Sequence, residues 1–328
     1  MAAVCVTSAP CELKEASVQQ AWHVTALGDV LREQGPVAEK LCEEEAKFCR
    51  QATRYSDLST LAGDLESVTS ASPRSTCSVV GNVLALSQDP EGCRRVQDAL
   101  GEAASDSKRN LLVSELHGHV FKASRCPHAN HVLQKVISIM PPTSLHFMID
   151  ELSEQEGFVM RTAMHRYGSR IVQQLLRKCG PSQVGALAKA ILKDAVVLSC
   201  HTFGKYAVTH LLELGTAEQK YGLARAIERN MEIIARSTSG GSVITAALSH
   251  TAKEDLVWIA RAVVQNPSAI VDLAHGRRGH AALLHALSAL PRHEVVRASG
   301  RMIQHFPELR TSRYGRKVAM YLETLAGQ

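Results

Sequence analysis

His165–Leu176 reads HRYGSRIVQQLL, and the spacing of its apolar residues decides how the chain folds. On an α-helix, at about 100° per residue with Ser169 as origin, Ile171, Val172 and Leu175 fall at about 200°, 300° and 240°. Ser169, Arg170 and Gln173 fall at about 0°, 100° and 40°, on the other side. The aliphatic arc needs a core, and the polar arc faces away from it. Gly168, at about 260°, lies on the apolar arc, where a missing side chain lets a neighbouring helix approach closely.

The same pattern recurs outward in both directions: a small lead residue, two variable residues, two residues that are mostly apolar, then one more variable position. It appears as GCRRVQ (Gly92–Gln97), ANHVLQ (Ala129–Gln134), GSRIVQ (Gly168–Gln173), GKYAVT (Gly204–Thr209), GGSVIT (Gly240–Thr245), GHAALL (Gly279–Leu284) and GRKVAM (Gly315–Met320). The lead residues stand 37, 39, 36, 36, 39 and 36 positions apart, a period that marks stacked repeats. No single repeat can bury a core or hold a pocket, so function is expected on the stacked surface.

Turn signals at Asp89-Pro90, Pro141-Pro142, Gly180-Pro181, Asn266-Pro267 and Pro291 punctuate short helical patterns, and strand signals are weak. Residues 79–325 are therefore predicted to form one all-α repeat array. Ahead of them Ala62–Ser78 is rich in Ser, Thr, Gly and Pro, which places a division near residue 75. Residues 1–75 are expected to hold an N-terminal helical extension or degenerate repeats. Helices are predicted over about 12–33 and 37–55, broken at Gln34-Gly35-Pro36. Arg54-Tyr55-Ser56 echoes Arg166-Tyr167-Gly168 and Arg313-Tyr314-Gly315, and Ser56 stands 36 residues before Gly92.

Composition narrows the function classes. The 328 residues are 45% hydrophobic but only 4% aromatic, and no apolar run is long enough to span a bilayer. A soluble protein without a membrane partner is expected. The start, MAAVCVTSAPCELKEA, lacks the basic residues and long apolar core of a secretory signal. Nine cysteines without a CxxC pair fit reduced thiols in a cytosolic or nuclear setting. The net charge of +5 permits a nucleic-acid partner without demanding one.

Chemistry is poorly signalled. There is no phosphate-cradling GxxxxGK[ST], Ser239–Ser242 (SGGS) opens a repeat helix, and no nucleophile stands beside a general base. Glu43, Glu44 and Glu45 read as a solvated helix face. His117, His119, Cys126, His128 and His131 cluster without the paired spacing of structural zinc, and His117 and His119 are expected in the helix before His131. Neither an enzyme, a metal nor a cofactor is expected.

The polar arc of each repeat forms a stripe when the repeats stack. It reads Cys93, Arg94, Gln97; Asn130, His131, Gln134; Ser169, Arg170, Gln173; Lys205, Tyr206, Thr209; Gly241, Ser242, Thr245; His280, Ala281, Leu284; Arg316, Lys317, Met320. The middle residues Arg94, His131, Arg170 and Tyr206 are flat groups able to stack on a nucleobase. A small or amide residue paired with Gln sets a donor and an acceptor side by side for a base edge. On one helix such residues are ordinary solvent-facing side chains. Three consecutive repeats with the same chemistry at the same positions single out a reading surface.

At these residues the chain resembles the Pumilio, or PUF, family of RNA-binding repeat proteins, whose repeats of about 36 residues each read one base. SQDPEGCRRVQDAL, PHANHVLQKVI, HRYGSRIVQQLL and TFGKYAVTHLLELG look like the family's third to sixth repeats, and SELHGHVFKASRCPHANHVLQKV extends the match to the preceding helix. GGSVITAALSHTAKEDLV is similar to the seventh, RGHAALLHAL occupies the place of the eighth, and LRTSRYGRKVAMYLETL looks like the closing cap.

The resemblance implies a right-handed α-α superhelix of three-helix repeats that binds single-stranded RNA on its concave face. It further implies that Gln97 with Cys93 and Gln173 with Ser169 favour adenine, and that Asn130 with Gln134 favours uracil. Arg94, His131, Arg170 and Tyr206 would stack between bases, giving 5′-A-U-A-3′ as the core. The family's role in controlling messenger RNA stability or translation implies mRNA 3′ untranslated regions as partners. It also implies protein effectors on the convex face and a cytoplasmic location.

The chain departs from the family pattern in its second half. Lys205 and Thr209 replace an amide pair, Gly241 with Thr245 lacks the Ser and Glu that select guanine, and Ala281 and Leu284 cannot hydrogen-bond a base. Lys205 and His280 are able to hold phosphate instead. Two alternatives stand beside the mRNA reading. One is a nucleolar PUF-like protein binding structured RNA in ribosome assembly, and the other a HEAT- or armadillo-like protein scaffold.

Overall fold

Each recurrence of the small lead residue opens a helix or falls within two residues of its start. In chain order these are α1 (Pro90–Glu102), α2 (Ala129–Ile139), α3 (Gly168–Lys178), α4 (Lys205–Leu214), α5 (Gly240–His250), α6 (Arg277–Ser288) and α7 (Arg313–Ala326). They belong to a computed structural model that describes residues 78–326, inside the second of two units into which the chain divides, Ser75–Gln328. The helices predicted over 12–33 and 37–55 lie outside the described residues, as does the echo at Arg54-Tyr55-Ser56.

A short helix precedes each of the seven, Val120–Arg125 before α2 and Phe158–Met164 before α3 for example, and a third helix follows each of the first six, such as His146–Glu154 and Gly185–Lys193. Equivalent helices pack side by side from repeat to repeat: α1 on α2, α2 on α3, and so on to α7. The described residues form a right-handed α-α superhelix of three-helix repeats, with no strand among them.

The lead glycine sets how tightly each repeat closes. A Cβ on Gly168 would stand 2.6 Å from the carbonyl oxygen of Thr162, so the short helix meets α3 backbone to backbone. Gly240 meets the Ile234 carbonyl in the same way, again six residues back. Ile171, Val172 and Leu175 are fully buried in the resulting core, as their arc predicts.

The turn into every one of these helices except α6 carries a recurring acceptor three residues before the lead residue. Asp89 Oδ2 accepts from the Gly92 N–H (2.6 Å), Cys126 Sγ from Ala129 (3.5 Å) and His165 Nδ1 from Gly168 (3.4 Å). His201 Nδ1 accepts from Gly204 (3.1 Å), and Ser237 Oγ and Ser312 Oγ from Gly240 and Gly315 (2.9 Å each). These side chains satisfy N–H groups that a helix start leaves without partners. Gly276, at the same place before α6, has no side chain to offer.

Within a repeat the first and third helices are also clamped by carboxylates. Glu151 accepts from the N–H groups of Gly118 (2.6 Å) and Val120 (2.9 Å), and Glu115 accepts from Gly81 (2.6 Å) and Val83 (2.8 Å). Gly81 and Gly118 have φ of 85° and 78°, a left-handed conformation that other residues rarely adopt.

Candidate nucleic-acid interface

Arg94, His131, Arg170 and Tyr206 are exposed on the surface of α1–α4, as their place on the helical wheel requires. Their first-turn neighbours differ from expectation: Cys93, Asn130 and Ser169 are only 5%, 1% and 3% exposed. The wheel treats a helix as isolated, whereas here each of these short polar side chains turns back onto carbonyls of the preceding turn. Asn130 Nδ2 donates to the carbonyls of Cys126 (2.8 Å) and Pro127 (2.9 Å). Cys93 Sγ donates to Pro90 (3.4 Å), and Ser169 Oγ reaches Arg166 (3.5 Å). Burial pushes the Cys93 thiol up, against the lowering effects of Gln97 and Arg94, so it stays a donor.

The glutamines one turn on complete three rungs. Gln97 Nε2 donates to the Cys93 carbonyl at 3.2 Å and lies 3.8 Å from its sulfur. Gln134 Nε2 donates to Asn130 Oδ1 (2.8 Å), while its Oε1 accepts from Gln174 Nε2 (3.0 Å) on α3. Gln174 was missed from the sequence. At about 140° it falls outside the polar arc, and only the packing of α2 on α3 brings it to the rung. Gln173 is 8% exposed, and its Nε2 is buried without a hydrogen-bond partner.

Beyond α3 the rungs change character. Lys205 is half-buried, with Nζ 5.3 Å from the centre of the Tyr206 ring. Burial and then the charge of Arg278 hold its ammonium below the usual lysine range. Thr209 and Thr245 spend their hydroxyls on the carbonyls of Tyr206 (3.2 Å) and Gly241 (2.8 Å). The His280 ring stacks on Tyr314, with centroids 4.7 Å apart, and its Nδ1 lies 2.6 Å from the Arg277 carbonyl. These positions offer little to a base edge.

The histidine cluster disperses. His117 stands in the turn before Val120–Arg125, stacked on Phe147 at 4.1 Å. His119 immediately precedes that short helix instead of lying within one, because the left-handed Gly118 breaks the chain direction there. Among the described residues no three His, Cys, Asp or Glu side chains are grouped to hold a metal ion. Nor is any helix among them long and apolar enough to cross a membrane. Cys93, Cys126, Cys179 and Cys200 are free thiols.

Side-by-side helices that carry one polar rung per repeat define a helical-repeat solenoid with a side-chain ladder. A family model described as a NOP9-like PUF repeat domain matches residues 41–322, and the chain belongs to this PUF repeat family, which sets the HEAT and armadillo reading aside. The match starts ahead of the division at residue 75.

Among curated proteins the chain is similar to putative pumilio homolog 7, chloroplastic, of Arabidopsis thaliana. The two are 25% identical over 117 residues, 36% of this chain and 18% of that protein. A Pumilio domain-containing protein of Schizosaccharomyces pombe is 24% identical over 120 residues, 37% of this chain and 17% of that protein. The alignments thus span less than a fifth of either relative.

Among solved structures, PUF-8 in complex with PBE-RNA superposes with a TM-score of 0.65 at 22% identity, covering 75% of this chain and 72% of that one. The RNA-binding domain of yeast Puf5p bound to SMX2 RNA gives 0.61 at 17% identity, covering 72% and 66%. At such identities the likeness shows the fold.

Proposed function

We propose that the chain binds single-stranded RNA along the face built by α1–α7, reads bases with the rungs of α1, α2 and α3, and does no chemistry on the RNA. The observation that carries this is the orphaned Nε2 of Gln173, a buried donor beside the exposed stacking residue Arg170. Such a donor costs free energy until an acceptor arrives, and a base edge is an acceptor of the right size. The complexes of PUF-8 with PBE-RNA and of Puf5p with SMX2 RNA lend support from the same fold.

In this reading Cys93 with Gln97 and Ser169 with Gln173 take adenine, and Asn130 with Gln134 takes uracil. Arg94, His131, Arg170 and Tyr206 stack between bases. Lys205 and Thr209 contribute contacts without base identity. The short A-U-A element would lie in messenger RNA, with control of its stability or translation as the outcome, the cytoplasm as the place and effectors docking on the opposite face.

A second reading, binding of structured RNA with little sequence preference during nucleolar ribosome assembly, is favoured by the NOP9-like description of the matching family and by the eroded rungs beyond α3. We further propose that residues 79–325 form the array with α7 as its closing cap. The start of the family match at residue 41 supports degenerate repeats ahead of it.

Selection of bound RNA from a random pool tests both readings. An enriched A-U-A core supports base reading, and enrichment without a linear motif supports the second. Fluorescence anisotropy with N130S/Q134E then checks the code, since preference at the middle base should move from uracil toward guanine. Failure of the wild-type chain to bind any RNA would overturn the proposal.

A further inference from the structure

The repeat around α5 and α6 is closed to bases and open to something else. A Cβ on Gly241 would lie 2.6 Å from the backbone nitrogen of Gly279 and 2.7 Å from its Cα. Gly241 occupies the first position of its rung, so the place where a reading side chain would stand is filled by the backbone of the next repeat. No base-reading pocket fits between α5 and α6. Thr245, at the last position, already donates to the Gly241 carbonyl.

The same close approach carries a cation across the stack. Arg278, one residue before Gly279, donates through Nη1 to Ser242 Oγ at 2.9 Å, and Ser242 is the middle residue of the α5 rung. Lys205 holds the first position on α4, which packs directly against α5. Burial first and the charge of Arg278 second depress the Lys205 ammonium, and among the described residues neither cation is paired with a carboxylate. Two like charges gathered without a counter-charge raise the local positive potential, and an anion relieves it.

We infer that Lys205 and Arg278, with Ser242 orienting the guanidinium, form a binding site for one phosphodiester group of the RNA strand. The site rests on the RNA-binding reading above and extends it. Where the strand leaves the α1–α3 rungs it is held by its backbone and no longer by base edges. Guanidinium and ammonium groups suit a phosphate by charge and hydrogen bonding, and they carry no sequence information. The strand is the favoured source of the anion because the cluster lies on the same row of helices as the three rungs, beginning on α4, one repeat beyond α3, and reaching across α5 to α6.

The test uses the full chain and fluorescence anisotropy across a series of KCl concentrations, with an A-U-A oligomer and a scrambled one. K205Q and R278Q should each weaken both RNAs by the same factor. The double variant should lower the magnitude of the salt slope by about 0.7, the increment for one phosphate on a single strand, or about fivefold in affinity per tenfold change in salt. The double variant should cost less than the sum of the singles, because both act on one group. Q173L is the control, since it should change the preference for A-U-A and leave the slope alone.

A methylphosphonate scan identifies the source of the anion. One neutral linkage should weaken wild-type binding, and the same linkage should be silent in K205Q/R278Q. A flat scan overturns the strand phosphodiester in favour of free phosphate, and competition by polyglutamate equal to that by RNA overturns it in favour of an acidic peptide. Wild-type binding to A-U-A with an unchanged slope in K205Q/R278Q sinks this inference alone. No binding of wild type to any RNA sinks it together with the function on which it rests. Circular dichroism melts of every variant confirm that the fold is kept.

Discussion

Gln173 is a buried amide whose nitrogen has no protein partner. Leaving such a donor unsatisfied costs about 1–3 kcal/mol, so Gln173→Leu, of similar volume, should leave stability unchanged or raise it by up to about that amount. Binding of an A-U-A oligomer should move the other way and weaken by about 1–3 kcal/mol, the range for one base contact. Thermal melts and anisotropy on the same preparation check both signs, and unchanged affinity would remove Gln173 from the reading surface.

His165 and His201 give a second residue-scale prediction. Burial, reinforced by Arg125 and Arg166 for the first and by Lys205 for the second, lowers each from about 6.5 to about 4. The folded state therefore holds them neutral, which their roles as acceptors from Gly168 and Gly204 demand. As pH falls below about 6.5 the unfolded chain takes up these protons first. The stabilisation is complete above about 6.5 and is lost as pH falls toward 4, at most about 3 kcal/mol per histidine. Ser237 and Ser312 do the same work with a hydroxyl, so H165S/H201S should keep stability at pH 7.5 and flatten its decline toward pH 4.5 in urea titrations. An equal decline in both proteins would count against it. The exposed residues of the rungs were legible because a 3.6-residue period fixes which arc faces outward. The burial of Cys93, Asn130 and Ser169 was not, since it depends on the turn before each helix.

At the scale of elements, the clamp made by Glu151 joins the third helix of one repeat to the short helix of the same repeat's entry turn, through the N–H groups of Gly118 and Val120. Hydrogen bonds to a charged group are worth about 1.5–3 kcal/mol. Glu151→Ala should destabilise the array by about that much, and Glu151→Gln, which keeps one acceptor oxygen, by less. Amide exchange at Gly118 and Val120 should accelerate in both variants. Exchange that stays slow at these two amides would show that the clamp contributes nothing. The seven helices α1–α7 were legible because each repeats one small residue and one aliphatic arc at a steady interval. The clamp was not, because Glu151 reads as a surface acid until its helix is docked.

At the scale of the whole array, stability should be close to a sum of repeat and nearest-neighbour terms. The closing helix α7 packs against the third helix Arg292–Met302 and against α6, and Ser299 Oγ donates to the Leu322 carbonyl at 3.1 Å in the interior. Ala298 and Met302 are fully buried, and Val318 and Leu322 at most 1% exposed. Deleting residues 306–328 would remove Val318 and Leu322, uncover Ala298 and Met302 and strand the Ser299 hydroxyl. A loss that spreads only to neighbours should abolish amide protection over about 267–302 while residues 129–178 keep theirs. Affinity for an A-U-A oligomer should then fall no further than it does in R278Q, because the rungs of α1–α3 share no partners with the frayed repeat. The salt slope should fall, because Arg278 sits in the repeat that frays. Hydrogen exchange and anisotropy on the truncated chain decide between this and a single cooperative block, in which protection over 129–178 and A-U-A binding would disappear together.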